Sequence, residues 1–205
     1  MPTTIVPPPF DGFSPEPLNR LQRYKVLMGS IVPRPIALVS SMGEDGTVNA
    51  APFSNFMALS TSAMLVGFSV GAEGREEHRD KDTLRNIRAG SEFVINTVTD
   101  AMAHQVQTCG KGFPPDISEI DAAGLSTLPS AVIKPPRIAE SKIHFECRLH
   151  SIVPFGDSNL VVGQVVWVHA VEGLLADYKV DPAAYAPLGR LGGRVYCRIG
   201  ELIKA

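Results

Sequence analysis

Apolar or β-branched runs recur along this chain at short intervals, and they set what it can fold into. They occupy Ile36 to Ser41, Val48 to Phe53, Ala63 to Val70, Phe93 to Val98, Ile143 to Val153, Leu160 to Val171 and Arg194 to Ile203, separated mostly by Gly, Pro, Asp and Asn. Runs of this length and composition read as strands joined by turns. Seven of them make a barrel or a sandwich, so the predicted class is mainly β with a few short helices. Apolar residues are 44% of the 205, enough to bury a core without disulfides or metals. With no internal repeat or low-complexity block, the expected division is a Pro-stiffened N-terminal arm over residues 1–23 and one domain over 24–205.

Helix signals are few but have recognisable ends. In "KDTLRNIRAG" Asp82 is placed to cap a short helix carrying Leu84 and Ile87, and Gly90 stands where a left-handed C-terminal residue belongs. A second helix runs from Asp100 to about Cys109 and stops at Gly110, and "DPAAYA" puts Pro182 at a first helical position. The stretch Lys111 to Pro136 is rich in Pro and Gly and long for a connection. Loops of that length are often functional or cover something.

Charge and cysteine usage exclude several classes. The net charge of −2 with 20% charged residues leaves no electrostatic footprint for nucleic acid or an anionic membrane, and small neutral or mildly anionic ligands fit better. The start "MPTTIVPPPFDGF" has no basic segment followed by an apolar one, so it is not read as a signal peptide. Cys109, Cys147 and Cys197 are far apart and form no CxxC pair, which predicts a reducing, cytoplasmic setting and no metal site. Residues 46–72 carry no charge, yet Asn49, Pro52, Ser54, Asn55, Ser60, Thr61, Ser62 and Ser69 break the run too often for a membrane span. A buried pair of strands around a ligand is the better reading. No GxSxG, GxxxxGK[ST], HExxH or GxGxxG opens a hydrolase, NTPase, zinc protease or Rossmann reading.

Three candidate sites remain. Lys81, Asp82 and Thr83 combine a positive charge, a carboxylate and a hydroxyl at a helix start, which suits a phosphate once Asp82 is occupied in capping or by an arginine; an ordinary capped helix start accounts for the same residues. If Ile36 to Val39 and Val48 to Phe53 form a hairpin across "GEDGT", then Ser40, Ser41, Ser54 and Asn55 are donors near strand ends, although Ser and Asn also simply end strands. Strict alternation in "VVGQVVWVHAV" puts His169 on the face of Val161, Val165, Trp167 and Val171, either as a core histidine or as a site residue near the strand end. His144, Glu146, Arg148 and His150 alternate with apolar residues and read as a polar, solvated outer face.

Together, "PRPIALVSS", "GTVNAAPFSNF", "KDTLRNI" followed by "FVINTV", "FECRL", "GQVVWVHA" and "LGRLGGRVY" resemble, in order and approximate spacing, the flavin reductase-like, FMN-binding split-barrel family, and its flavoredoxin-like branch in particular, over residues 24–200. The resemblance implies a Greek-key split β-barrel built as a homodimer, with one FMN per subunit near the dimer interface. It implies that Arg34, Ser40, Ser41, Ser54, Asn55 and Phe56 line the flavin, that Lys81, Asp82 and Thr83 belong to its phosphate and ribityl site, and that His169 lies near the isoalloxazine as the catalytic candidate. Arg190, Gly192 and Gly193 resemble a C-terminal segment that contributes to the site or its cover. The implied activity is an NAD(P)H:flavin reductase in which NADH or NADPH passes a hydride to FMN. A flavoredoxin-like electron carrier reduced by a protein partner needs the same pocket, as does a binding protein for another flat ligand. The implied partners are small molecules, a second copy of the chain and an electron-acceptor protein, with no nucleic acid or membrane.

Overall fold

The computed structural model describes residues 9–71, 81–113 and 117–203. Helix α1 (Arg20–Ser30) leads into β1 (Ala37–Met42), β2 (Val48–Phe53), β3 (Phe56–Ser60) and β4 (Leu65–Gly71). Then come α2 (Asp82–Gly90), β5 (Glu92–Thr97), a 3-10 turn (Asp100–Met102) continuing into α3 (Ala103–Cys109), and α4 (Glu119–Ala122). Two short strands, β6 (Thr127–Leu128) and β7 (Arg137–Ile138), precede the long pair β8 (Ile143–Phe155) and β9 (Ser158–Ala170). The chain closes with β10 (Leu175–Ala176), β11 (Lys179–Val180), α5 (Pro182–Tyr185), β12 (Gly189–Gly192) and β13 (Val195–Cys197).

Seven strands form one sheet in the order β2-β1-β5-β8-β9-β4-β3, with every pairing antiparallel. The two edge strands, β2 and β3, are consecutive in the chain and joined only by Ser54 and Asn55. A two-residue link cannot cross the width of a seven-stranded sheet, so the sheet must curl until its edges meet. The rings of Phe53 of β2 and Phe68 of β4 pack at a tilt of 41° with centroids 5.0 Å apart, and the Ser69 amide donates to the Asn55 carbonyl at 2.9 Å. The result is the mainly β, Greek-key split barrel expected, with its split at Ser54 and Asn55.

Two apolar clusters sit on the two faces of the sheet. Ala37, Val39, Phe53, Phe68, Phe93, Ile95, Cys147, Val161 and Val165 fill the interior, where α2 adds Leu84 and Ile87. Outside, Leu38, Ala50, Val98 and Ile138 pack against Met102, Val106 and Cys109 of the 3-10 turn and α3 and Ile120 of α4. At Gly163 of β9 an added Cβ would lie 2.4 Å from Phe93 Cζ, so the interior admits no side chain there.

Several local expectations change. The β1–β2 hairpin forms across "GEDGT" as expected, with Gly43 N–H donating to Thr47 O at 2.9 Å. The helix at "KDTLRNIRAG" begins at Asp82 with Lys81 as its cap residue, and Ser91 (φ 57°), not Gly90, takes the left-handed position. Met64 (φ 50°) turns the chain, so β4 starts at Leu65 and not at Ala63, and of Arg194 to Ile203 only Val195–Cys197 is strand. Helix α1 crosses the expected boundary between arm and domain. Asn19 and Gln22 cap it reciprocally, each side chain accepting from the other's backbone N–H, and it buries none of its residues. Residues 1–8 of the arm and 114–116 of the long loop lie outside the described residues.

Candidate functional site

The expected site residues fall into three groups. The first surrounds the split of the barrel. Arg34, 5% exposed, donates through Nη1 to the Ile31 carbonyl at 2.8 Å and to the Met28 carbonyl, occupying carbonyls that the end of α1 leaves without intrahelical partners. Its Nε donates to Ser54 Oγ at 3.3 Å, and its backbone exchanges two 2.9 Å bonds with Arg190. The Arg190 guanidinium lies 4.6 Å over the Tyr196 ring and donates to the Tyr196 hydroxyl and the Gly193 carbonyl. Asn55 and the half-buried Phe56 complete this end. The structure therefore brings Arg34, Ser54, Asn55, Phe56 and Arg190 together, with both guanidinium groups engaged by protein.

The second group is the start of α2. Among the described residues no side chain caps it, and Asp82 pairs with Arg85 at 2.6 Å, so the carboxylate beside the helix start is neutralised by an arginine and not used as a cap. Thr83 is 1% exposed, and its hydroxyl donates to Asn49 Oδ1 at 2.8 Å. Asn49 Nδ2 in turn donates to Glu119 Oε1 at 2.9 Å. Burial raises the Glu119 carboxyl above its ordinary value, against the backbone and side-chain bonds it accepts. A cavity of about 320 Å³ opens between the β1–β2 hairpin, α2 and α4, and Glu44, Asp45, Asp82 and Glu119 give it an acidic lining with Arg85.

Ser40 and Ser41 do not join either group as a pair. Neighbours on a strand point to opposite faces, and both are fully buried. Ser41 accepts from Asn86 Nδ2 of α2 at 3.3 Å, while Ser40 donates to the Pro136 carbonyl at 2.6 Å and accepts from Asn96 Nδ2 at 3.0 Å. Of the expected donors near strand ends, Ser40 and Ser41 are thus buried in hydrogen bonds within the protein, while Ser54 and Asn55 lie at the split.

The third group centres on His169 and overturns two expectations. Cys147 lies opposite Val165, but Glu146 lies opposite Trp167 and His144 opposite His169, leaving Val166 as an extra residue on β9. That bulge moves Trp167 and His169 off the face of Val161 and Val165 and onto the outer face of the sheet. There His144 (4% exposed) and Glu146 (0%) are not solvated as expected, although Arg148 and His150 beyond them are exposed.

Residues 129–138 cover this row as a strap. The Ala131 and Val132 amides donate to Glu146 Oε1 and Oε2 at 2.6 and 2.9 Å, the Ile138 amide donates to Asn96 Oδ1 at 2.8 Å, and the Ile138 carbonyl lies 2.8 Å from His144 Nε2. His169 Nε2 lies 2.6 Å from Glu146 Oε1, and its ring stands edge-on to His144 at 6.0 Å and beside Trp167 at 6.2 Å. Burial alone pushes the Glu146 carboxyl up, but the bonds from Ala131, His169 and Val132 together hold it below its ordinary value. Burial holds His144 below its own ordinary value, which favours the neutral imidazole.

Sequence reasoning missed Glu146, Asn96, Asn49 and Glu119. A polar residue alternating with apolar ones reads the same whether water or a strap lies over it, and no local pattern separates the two.

A sequence profile of the flavin reductase like domain matches residues 28–189. The chain is similar to the crystal structure of nitrilotriacetate monooxygenase component B from Bacillus cereus (31% identity, TM-score 0.91, covering 97% of this chain and 100% of that one). It is similar as well to 2-nitrobenzoate 2-nitroreductase from Pseudomonas fluorescens (34% identity, TM-score 0.86, 95% of each chain). Flavoredoxin of Desulfovibrio vulgaris (Miyazaki F), at 18% identity and TM-score 0.74 over 85% of this chain and 91% of that one, shares the fold.

Proposed function

The chain belongs to the flavin reductase like domain family, and from that premise we propose that it is an FMN-binding oxidoreductase, an NAD(P)H:flavin reductase acting as a homodimer. The observation that carries the FMN reading is the start of α2, where no side chain among the described residues caps the helix and Arg85 takes up the charge of Asp82. Uncapped first-turn N–H groups beside a lysine fit a phosphate. The fit alters one role: Thr83 offers its backbone, because its hydroxyl is committed to Asn49. Ser54, Asn55 and Phe56 at the split, with Arg34 turned to the carbonyls of α1 and to Ser54, suit the flat ring. Bound FMN supplies a ring that accepts a hydride from NADH or NADPH, so the protein needs no nucleophile or metal. The chain's own residues bind, orient and exclude water.

The homodimer rests on two observations. Phe56 is level with Phe68 and Val161 across the sheet, and His169 lies seven paired steps further along β9, with Val166 set aside as the extra residue, about 23 Å of strand at roughly 3.3 Å per residue. That exceeds the width of an isoalloxazine, so a ring flanked by both residues takes them from different subunits. Leu21, Tyr24 and Leu27 of α1 and Met57, Leu59 and Met64 around β3 are also exposed, apolar side chains of the kind a second copy would cover.

The test is to purify the protein, titrate it with FMN, measure its mass by light scattering, and add NADH or NADPH without oxygen while recording the visible spectrum. The expected result is a yellow dimer bleached by one of the two nicotinamides. Protein that does not bind FMN refutes the proposal. Protein that dithionite reduces but neither nicotinamide does is instead an electron carrier supplied by a protein partner.

A further inference from the structure

We infer that Glu146 is the positioning residue for His169, fixing which ring nitrogen faces a ligand; this rests on the reading that His169 acts at the flavin. The carboxylate is fully buried and held from two sides. The strap donates the Ala131 amide to Oε1 and the Val132 amide to Oε2, and His169 Nε2 approaches Oε1 at 2.6 Å. An ionised carboxylate only accepts, so the proton on the neutral imidazole sits on Nε2. Nδ1, across the ring, is left as the atom presented away from Glu146.

The neighbours reinforce this choice. His144, edge-on to His169, lies with Nε2 against the Ile138 carbonyl, which can only accept, so its Nδ1 is a bare acceptor, buried without a partner. It therefore has no proton to give His169, and Trp167, exposed on the far side, offers only an indole N–H. Among the described residues, Glu146 is thus the acceptor bonded to the ring that selects its tautomer. Its orientation is set in turn by backbone amides of the strap and not by flexible side chains.

The arrangement matters for the reaction because a nicotinamide carboxamide or a flavin edge presents both donors and acceptors. In its neutral form, a histidine offering a bare Nδ1 accepts from an N–H of such a ligand. The opposite tautomer would present Nδ1–H to the same hydrogen. Loss of Glu146 leaves the ring in place but divides it between the two forms, so turnover falls while the flavin, held by its phosphate elsewhere, stays bound.

The experiment uses FMN-loaded protein and Glu146→Gln, with three readouts: ring-nitrogen NMR shifts of His169 in its neutral form, FMN affinity, and the rate of anaerobic reduction by NADH or NADPH. The wild-type spectrum is expected to show the Nε2–H form alone and E146Q a mixture. FMN affinity should stay within about twofold and reduction should slow about tenfold. The double variant E146Q/H169A should be no slower than H169A, as two residues acting as a unit require. Should E146Q not fold, Glu146→Asp keeps the charge but shortens the reach and is expected to show the same mixture. A wild-type ring protonated at Nδ1, an unchanged tautomer in both variants, or a changed tautomer with unchanged rate would overturn the inference. Protein that no nicotinamide reduces refutes the reductase reading, while the tautomer measurement still decides the role of Glu146.

Discussion

Replacing Thr83 by valine separates two readings of the α2 start that the sequence alone leaves merged. Valine keeps the shape of threonine and removes the hydroxyl, which is 1% exposed and donates to Asn49 Oδ1 at 2.8 Å. Asn49 is itself 8% exposed and tied to Glu119, so its oxygen has little access to water in exchange. Losing a buried bond and orphaning its acceptor costs about 1–3 kcal/mol. For a domain of this size that lowers the melting temperature by roughly 2–12 °C. If the phosphate is held by backbone N–H groups, FMN affinity should stay within about twofold. If the hydroxyl held a phosphate oxygen, loss of a bond to a charged group would cost about 1.5–3 kcal/mol, more than tenfold in Kd. Urea unfolding of the FMN-free protein at fixed concentration, paired with an FMN titration, reads both quantities. A variant as stable as the wild type that binds FMN more than tenfold more weakly would refute the structural role assigned to this hydroxyl.

Two further outcomes follow from the core and from Glu119. Gly163→Ala should destabilise the protein by about 1–3 kcal/mol in chemical denaturation, because the new methyl meets Phe93, itself fully buried against Phe68, and an unchanged midpoint would show that Phe93 can move aside. Burial raises the folded-state pKa of Glu119 above its ordinary 4.5, so the folded protein binds more protons there than the unfolded chain. Its contribution is present at low pH and lost as pH rises from about 4.5 through the folded value. Glu119→Gln should accordingly gain stability relative to the wild type over that rise, whereas parallel pH curves would count against the assignment.

What the sequence makes legible is whatever repeats locally. The β1–β2 hairpin follows from two apolar runs around "GEDGT", and α5 from Asp181 capping ahead of Pro182. Helix α1 carries the signal of its start in Asn19 and Gln22, but its apolar residues bury nothing, so no core stripe announces it. His169 is misplaced because strict alternation cannot foresee the extra residue at Val166. Glu146 is misread because the strap that buries it has no periodicity of its own and lies near it only in space. The first group of site residues is legible as separate motifs; that Arg34 spends its donors on α1 and Ser54 is a tertiary fact.

The order of the sheet governs how the chain can acquire its structure. Strand β4 pairs early with β3 but finds its second partner only in β9, with Leu65 opposite Gln164, and β5 finds its second partner only in β8. During synthesis from the N-terminus, β1 to β5 therefore emerge long before two of their edges can be covered. Non-local pairings of this kind close slowly, and the waiting edges are open to other strands. Near-complete synthesis is thus a condition of barrel closure, and a chain ending before β9 would leave β4 and Phe68 exposed to aggregation.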